Sequence, residues 1–136
     1  METTIRYLGG VKFEVEARGH RVICDQPAAN AGTDAGMAPP EFLLASLGTC
    51  AAYYAAQYLR ARSIPVEGLS VRVTAEKATA PARLVNFRIE VRAPELPEEK
   101  HRDGILRAVH SCLIHNTLLN APAIETVIEA PVPALI

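Results

Sequence analysis

Two cysteines, far apart in the sequence, are the side chains with the clearest potential for chemistry. Cys50 lies in "APPEFLLASLGTCAAYYAAQYLR", residues 38–60, where no charged residue separates Glu41 from Arg60. Cys112 lies in "HSCLIHNTLL". If both segments are helices that pack together, a thiolate on one can attack an electrophile and become a sulfenic acid, and the second thiol can condense with it to a disulfide. Free cysteine is also among the most buried residue types, so the cysteines alone leave both interpretations open.

Glu41 is a third candidate, because it is an acid on the same segment as Cys50 and nine residues before it. On a straight helix, nine residues turn through about 900° and rise about 13.5 Å, which places the carboxylate and the thiol on opposite faces. We therefore expect Glu41 to reach Cys50 only if the helix kinks near Gly48. Otherwise it is a first-turn acid that complements the helix dipole. Cys24 has no neighbour that suggests chemistry, and we expect it to be structural.

A metal site is the main alternative for the second cysteine, since "HSCLIH" places His110, Cys112 and His115 close together. On a helix His110 and Cys112 point about 200° apart, so only Cys112 and His115 could share an ion. Two ligands are too few for a zinc site. A phosphate-binding glycine motif and a serine-hydrolase motif are both absent from the sequence. We expect neither a metal nor a nucleotide cofactor.

The composition is typical of one globular domain, spanning residues 1–136. Apolar residues make up 49% and charged residues 21%, and the net charge is −1. With no basic block to contact phosphates, we expect no nucleic-acid partner. The N-terminus lacks the pattern of a signal peptide, and three cysteines are too few for a disulfide framework, so we expect a cytoplasmic protein. The uncharged run at residues 42–59 is at the short limit of a membrane span, but it contains polar residues and three tyrosines, so we expect no membrane span.

The elements that must position these side chains follow from periodicity. Alternating apolar and polar residues predict strands at residues 3–8, 11–18, 20–25, 69–77, 84–92 and 123–130. Between the third and fourth strands, a Gly- and Ala-rich loop leads to Pro39-Pro40 and a helix that runs to about Arg62. A second long helix is predicted at residues 96–119. The order β-β-β-α-β-β-α-β indicates an α+β fold with antiparallel sheets and two long helices. Because the first helix is apolar nearly all round, a second copy of the chain is expected to cover it.

Three stretches resemble one known family, in order and in spacing: "GHRVICDQP", "GMAPPEFLLASLGTC" and "HSCLIHNTLLNAP". The chain is similar to the OsmC/Ohr family of thiol-dependent hydroperoxide reductases, and the block ending in Leu-Gly-Thr-Cys is the most specific part. The resemblance implies an OsmC-like fold in an intertwined homodimer. It also implies that Cys50 is the peroxidatic cysteine, Cys112 the resolving cysteine and Glu41 the helix acid of the active site.

By the same resemblance the substrate is an organic hydroperoxide, the disulfide is re-reduced by a dithiol, and no cofactor is needed. Three positions depart from the family pattern. Val11-Lys12 stands where relatives carry an arginine after the early glycines, and Glu41 precedes the cysteine by nine residues rather than ten. Leu113 stands where many relatives have proline after the second cysteine. One alternative stays open, a binding protein with inert cysteines that holds a small hydrophobic ligand at the dimer interface. Loss of free thiols on adding peroxide separates the two.

Overall fold

The computed structural model describes residues 1–135 and contains five β-strands and three α-helices, with a short 3₁₀ turn before the first helix. In chain order these are β1 (Thr4–Gly9), β2 (Lys12–Ala17), β3 (His20–Cys24), α1 (Pro39–Arg60), β4 (Ser70–Ala78), β5 (Arg83–Arg92), α2 (Lys100–His110) and α3 (Leu113–Leu119). The fold is therefore of the mixed α+β class, as the periodicity predicted.

All five strands lie in antiparallel sheets. Strands β1, β2 and β3 form a three-stranded meander, and β4 and β5 form a separate hairpin. In the meander Val15 pairs with Ile5 on one side and Val22 on the other, so branched side chains share one face. The first five predicted strands are thus confirmed, because alternation with period two specifies both strand type and register.

Helix α1 begins at the two prolines, which occupy its first two positions. Four residues at intervals of four, Leu47, Ala51, Ala55 and Leu59, are buried and form its core face. This face packs with Ile64, Ile105 and Val109 and lies against β4 and α2. Within residues 1–135, no helix combines the length and the apolar character needed to cross a bilayer.

Two predicted elements differ from the structure. The helix predicted at residues 96–119 begins only at Lys100 and breaks at Ser111–Cys112 into α2 and α3. The break follows from the extended backbone of Cys112, whose φ is −60° and ψ 131° and whose sulfur caps α3 by accepting a hydrogen bond from His115 N–H. The strand predicted at residues 123–130 does not form, and that exposed segment pairs with no edge in the described protomer. A strand is stable only where its backbone groups find such an edge.

The loop between β3 and α1 is organised by one buried carboxylate. Asp25 is 1% exposed and accepts hydrogen bonds from three backbone N–H groups, of Gln26, Thr33 and Ala35, and from the Thr33 hydroxyl at 2.7 Å. The Thr33 hydroxyl and the Ala35 N–H are the main causes that hold the pKa of Asp25 well below its usual range. The end of the loop pairs with β3 through a parallel bridge between Cys24 and Met37. Because Met37 lies two residues before α1, this bridge fixes where the helix begins.

Candidate functional site

The structure brings Cys50 and Cys112 close together. Cys50 lies near the middle of α1, and Cys112 lies at the break between α2 and α3, which pack against α1. The two thiols are close enough for Cys50 to raise the pKa of Cys112, and no disulfide joins any of the three cysteines. Cys24 lies in β3, where its backbone pairs with Phe13. The fold therefore assembles one thiol pair from segments that are remote in sequence.

The surroundings of Cys112 favour its protonated form. Burial raises the pKa of the Cys112 thiol, and the hydrogen bond with Cys50 raises it further. The N–H groups of His115 and Ile114 act in the opposite direction, the first at 3.4 Å from the sulfur, but the net pKa is raised. At neutral pH Cys112 is therefore a thiol, and it can donate its S–H toward the sulfur of Cys50.

Access from solvent differs between the two cysteines. Cys112 is 0% exposed, whereas Cys50 is only half-buried. An oxidant approaching the described protomer thus meets the Cys50 sulfur first. After oxidation of Cys50, the neighbouring Cys112 thiol is already placed to attack it, so the geometry suits a two-step thiol reaction.

Glu41 is not brought to this pair within the protomer. It is exposed in the first turn of α1, and the helix runs uninterrupted from Pro39 to Arg60. The spacing of nine residues then corresponds to about 13.5 Å along the axis. Gly48 produces no interruption; instead it permits close packing on β4, because a Cβ there would lie 3.0 Å from Val73 Cγ2. In this position Glu41 complements the positive end of the helix dipole.

The first two arginines after the early glycines lie in the β2–β3 hairpin. Arg18 is exposed on the turn, and Arg21 Nε lies 3.3 Å from Glu16 Oε2. Arg21 is therefore engaged with an acid of its own sheet. An exposed pair of this kind contributes little to stability, so Arg21 is free to exchange partners.

The histidines near Cys112 adopt an arrangement that an unbroken helix would not permit. The rings of His110 and His115 meet edge to face, with centroids 5.2 Å apart. The Nδ1 atom of His115 is buried without a hydrogen-bond partner. Among residues 1–135, no three His, Cys, Asp or Glu side chains are grouped so that they could hold a metal ion.

A groove of about 930 Å³ lies between β5, the segment at residues 93–99 and α2, and neither cysteine of the thiol pair lines it. Its wall combines apolar side chains, including Ile89, Val91 and Ile105, with His110 and His115. Sequence analysis did not identify this groove. The alternating apolar positions of β5 and the apolar stripe of α2 were visible signals, but only their packing shows that a gap remains between them.

Comparison with known proteins places these features in a family context. A family model described as "OsmC-like protein" matches residues 32–127. No curated protein sequence is significantly similar to the chain. Similar folds occur in an osmotic stress and detoxification response protein of Psychrobacter arcticus (TM-score 0.77, 20% identity, 85% of each chain) and in an OsmC-like protein of Mycoplasma pneumoniae (0.71, 23% identity, 88% of this chain and 87% of that one). An organic hydroperoxide resistance protein OsmC of Legionella pneumophila is also similar (0.60, 17% identity, 87% and 89%).

Proposed function

The chain belongs to the OsmC-like protein family, and from this premise we propose that it is a thiol-dependent peroxidase that reduces organic hydroperoxides. The observation that carries the proposal is the proximity of the half-buried Cys50 to the buried, protonated Cys112. The similar Legionella pneumophila protein is named for organic hydroperoxide resistance, which supports this substrate class. Cys50 is assigned the peroxidatic role and Cys112 the resolving role.

The reaction follows from the order in which the two sulfurs can be reached. The Cys50 thiolate attacks the terminal oxygen of the hydroperoxide ROOH, the O–O bond breaks, and the leaving alkoxide takes a proton to become the alcohol ROH. Cys50 is now a sulfenic acid. The Cys112 sulfur attacks it, a disulfide forms and water leaves. Two thiols are oxidised and one hydroperoxide is reduced, and a dithiol then restores both thiols by exchange. Such a cycle fits a reducing compartment such as the cytoplasm.

We further propose that the working unit is a homodimer. In the described protomer, large apolar side chains stay exposed on the β1–β3 meander and on α1, among them Tyr7, Val22 and Tyr53. The C-terminal segment at residues 121–135 is exposed as well. Apolar surface of this extent is uncommon on a monomer. Glu41, remote from Cys50 within one protomer, is assigned no more than a supporting role at the start of α1.

Sedimentation of the full chain at micromolar concentration is expected to give twice the mass of one chain. The physical reason is that pairing would bury the apolar faces of the meander and of α1 together. As a control, the measurement is repeated in high salt, where association through apolar surfaces should persist. A stable monomer at all concentrations would show that these faces are covered in another way.

Ligand binding with inert cysteines is the second candidate function, and the groove beside α2 favours it. A volume of about 930 Å³ lies in the range of small-molecule sites, and its wall combines apolar side chains with charged ones, among them Arg92, Glu98 and Arg102. In this interpretation the thiol pair is only a packed part of the core.

Titration of free thiols distinguishes the two functions. The reduced chain has three cysteines, and one equivalent of cumene hydroperoxide is expected to leave one free thiol per chain, because one disulfide consumes two. Excess dithiothreitol should restore all three. The second measurement is the binding of a hydrophobic fluorophore in the groove. If three thiols remain after exposure to the hydroperoxide and the fluorophore binds, the peroxidase proposal is wrong and ligand binding is the better function.

A further inference from the structure

A second contact joins α1 and α2 at a distance from the thiols. The Tyr58 hydroxyl and His101 Nδ1 are 3.0 Å apart, and the two rings meet edge to face with centroids 5.9 Å apart. His101 is 7% exposed, so this hydrogen bond is largely shielded from water. On the other side of the tyrosine, the Arg62 guanidinium stacks 3.7 Å from the ring centroid. The tyrosine is thus held from two directions.

Gly104 allows this contact to form. It lies one turn after His101 on the buried stripe of α2, and a Cβ at this position would overlap the hydroxyl and the ring of Tyr58. The missing side chain lets the tyrosine enter between the helices. The same stripe continues through Ile105 and Val109 to Cys112. Whatever fixes His101 against α1 therefore acts on the helix that leads to the resolving thiol.

The two contacts are arranged along antiparallel helices. On α1, Tyr58 lies after Cys50; on the α2 side, His101 lies before Cys112. A slide or rotation of α2 against α1 would change the Tyr58–His101 distance and the Cys50–Cys112 distance together. Apolar contacts such as those of Ile105 and Val109 tolerate small slides, because attraction between apolar atoms has little direction. A hydrogen bond between a phenol and an imidazole depends on angle and distance, so it restricts the register of the helices.

We propose that the Tyr58–His101 hydrogen bond, admitted by Gly104, is a positioning contact that aligns Cys112 with Cys50 for disulfide formation. Its role in turnover rests on the proposed peroxidase function; its effect on the disulfide equilibrium does not. Tyr58 and His101 touch neither thiol, and they act by fixing how α2 lies on α1. Loss of the hydrogen bond should reduce the effective concentration of one thiol at the other.

The test measures the Cys50–Cys112 disulfide equilibrium of the full chain in dithiothreitol redox buffers after oxidation with diamide. Tyr58→Phe keeps the ring and removes the hydroxyl, and His101→Leu removes the imidazole partner. Each is expected to shift the equilibrium about tenfold toward the thiols, which corresponds to about 30 mV. His101→Asn places an amide oxygen near the position of Nδ1 and should restore most of the wild-type value. Tyr54→Phe is the matched control, because Tyr54 is half-buried on the same helix and removal of its hydroxyl leaves the Tyr58–His101 contact intact.

The outcomes separate this inference from the proposed function. If diamide but not hydroperoxide forms the disulfide, and Tyr58→Phe still shifts its equilibrium, the peroxidase proposal fails and the positioning role stands. If Tyr58→Phe and His101→Leu lower the melting temperature yet keep the wild-type equilibrium, the contact is only structural and the inference is overturned. Failure of diamide to join Cys50 and Cys112 in the wild type would overturn both. His101→Asn keeps the test usable if His101→Leu does not fold.

Discussion

Cys50→Ser is expected to reduce the dithiothreitol-dependent consumption of cumene hydroperoxide by at least about a thousandfold, because a serine hydroxyl is a far weaker nucleophile than a thiolate. The measurement is the rate of hydroperoxide loss at fixed enzyme concentration. Cys24→Ser is the matched control and should keep the wild-type rate, since Cys24 lies in β3 outside the thiol pair. Glu41→Gln should lower the rate much less than Cys50→Ser. An equal loss in both would show that Glu41 reaches the site, for example from a second protomer.

The companion variant Cys112→Ser separates the two steps of the reaction. Cys50 should still react with one equivalent of hydroperoxide, but its sulfenic acid has no thiol to condense with and should persist, then gain further oxygen atoms. Peptide mapping by mass spectrometry identifies the oxidised residue. In the wild type the same treatment should join Cys50 to Cys112 and leave Cys24 free. Oxidation of Cys24 or Cys112 with Cys50 intact would contradict the assignment of roles.

Asp25→Asn is expected to lower the melting temperature by about 10 °C, as loss of a buried, charge-assisted network commonly does. The carboxylate accepts four hydrogen bonds within one loop, and an amide can accept fewer while adding donors of its own. Asp34→Asn is the matched control, because Asp34 is exposed in the same loop. Thermal unfolding followed by circular dichroism at pH 7 measures both. Equal melting temperatures for the two variants would show that Asp25 does not hold the loop.

The pH dependence of the free energy of unfolding gives a second measure of the contribution of Asp25. The pKa of Asp25 is lowered in the folded chain, so the unfolded chain binds more protons in the acidic range and stability rises with pH there. The contribution of Asp25 is present above the ordinary carboxyl pKa of about 3.9 and is lost as the pH falls below it. In Asp25→Asn the loss of stability below about pH 4 should be shallower than in the wild type, since this group no longer titrates.

The strands and the first helix could be predicted because their signals are local. Alternation along residues 11–18 specifies a strand with one apolar face, and Pro39-Pro40 specifies where a helix can begin. The distance between Glu41 and Cys50 could also be predicted from the sequence, since an unbroken helix has a fixed rise and rotation per residue. These features depend only on the geometry of neighbouring residues.

The two errors arose where periodicity does not decide, one at a local helix cap and one at a missing strand partner. The stripe of residues 96–119 suited one helix, but the sulfur of Cys112 caps α3 by accepting the His115 N–H, and the helix breaks there. Residues 123–130 alternate like a strand, yet alternation supplies no edge to pair with, and the described protomer offers none to them.

The sequence by itself determined that the chain carries two cysteines on apolar segments, with an acid too far along the helix to reach the first. Only the tertiary structure decided that Cys50 and Cys112 lie close together, that Cys112 is the more deeply buried member, and that Tyr58 and His101 bond across the same pair of helices. Helical periodicity is set by the backbone of each segment, and it leaves the rotation and slide of one helix against another undetermined. Those two quantities depend on packing details such as the missing side chain of Gly104, which lets Tyr58 lie between α1 and α2.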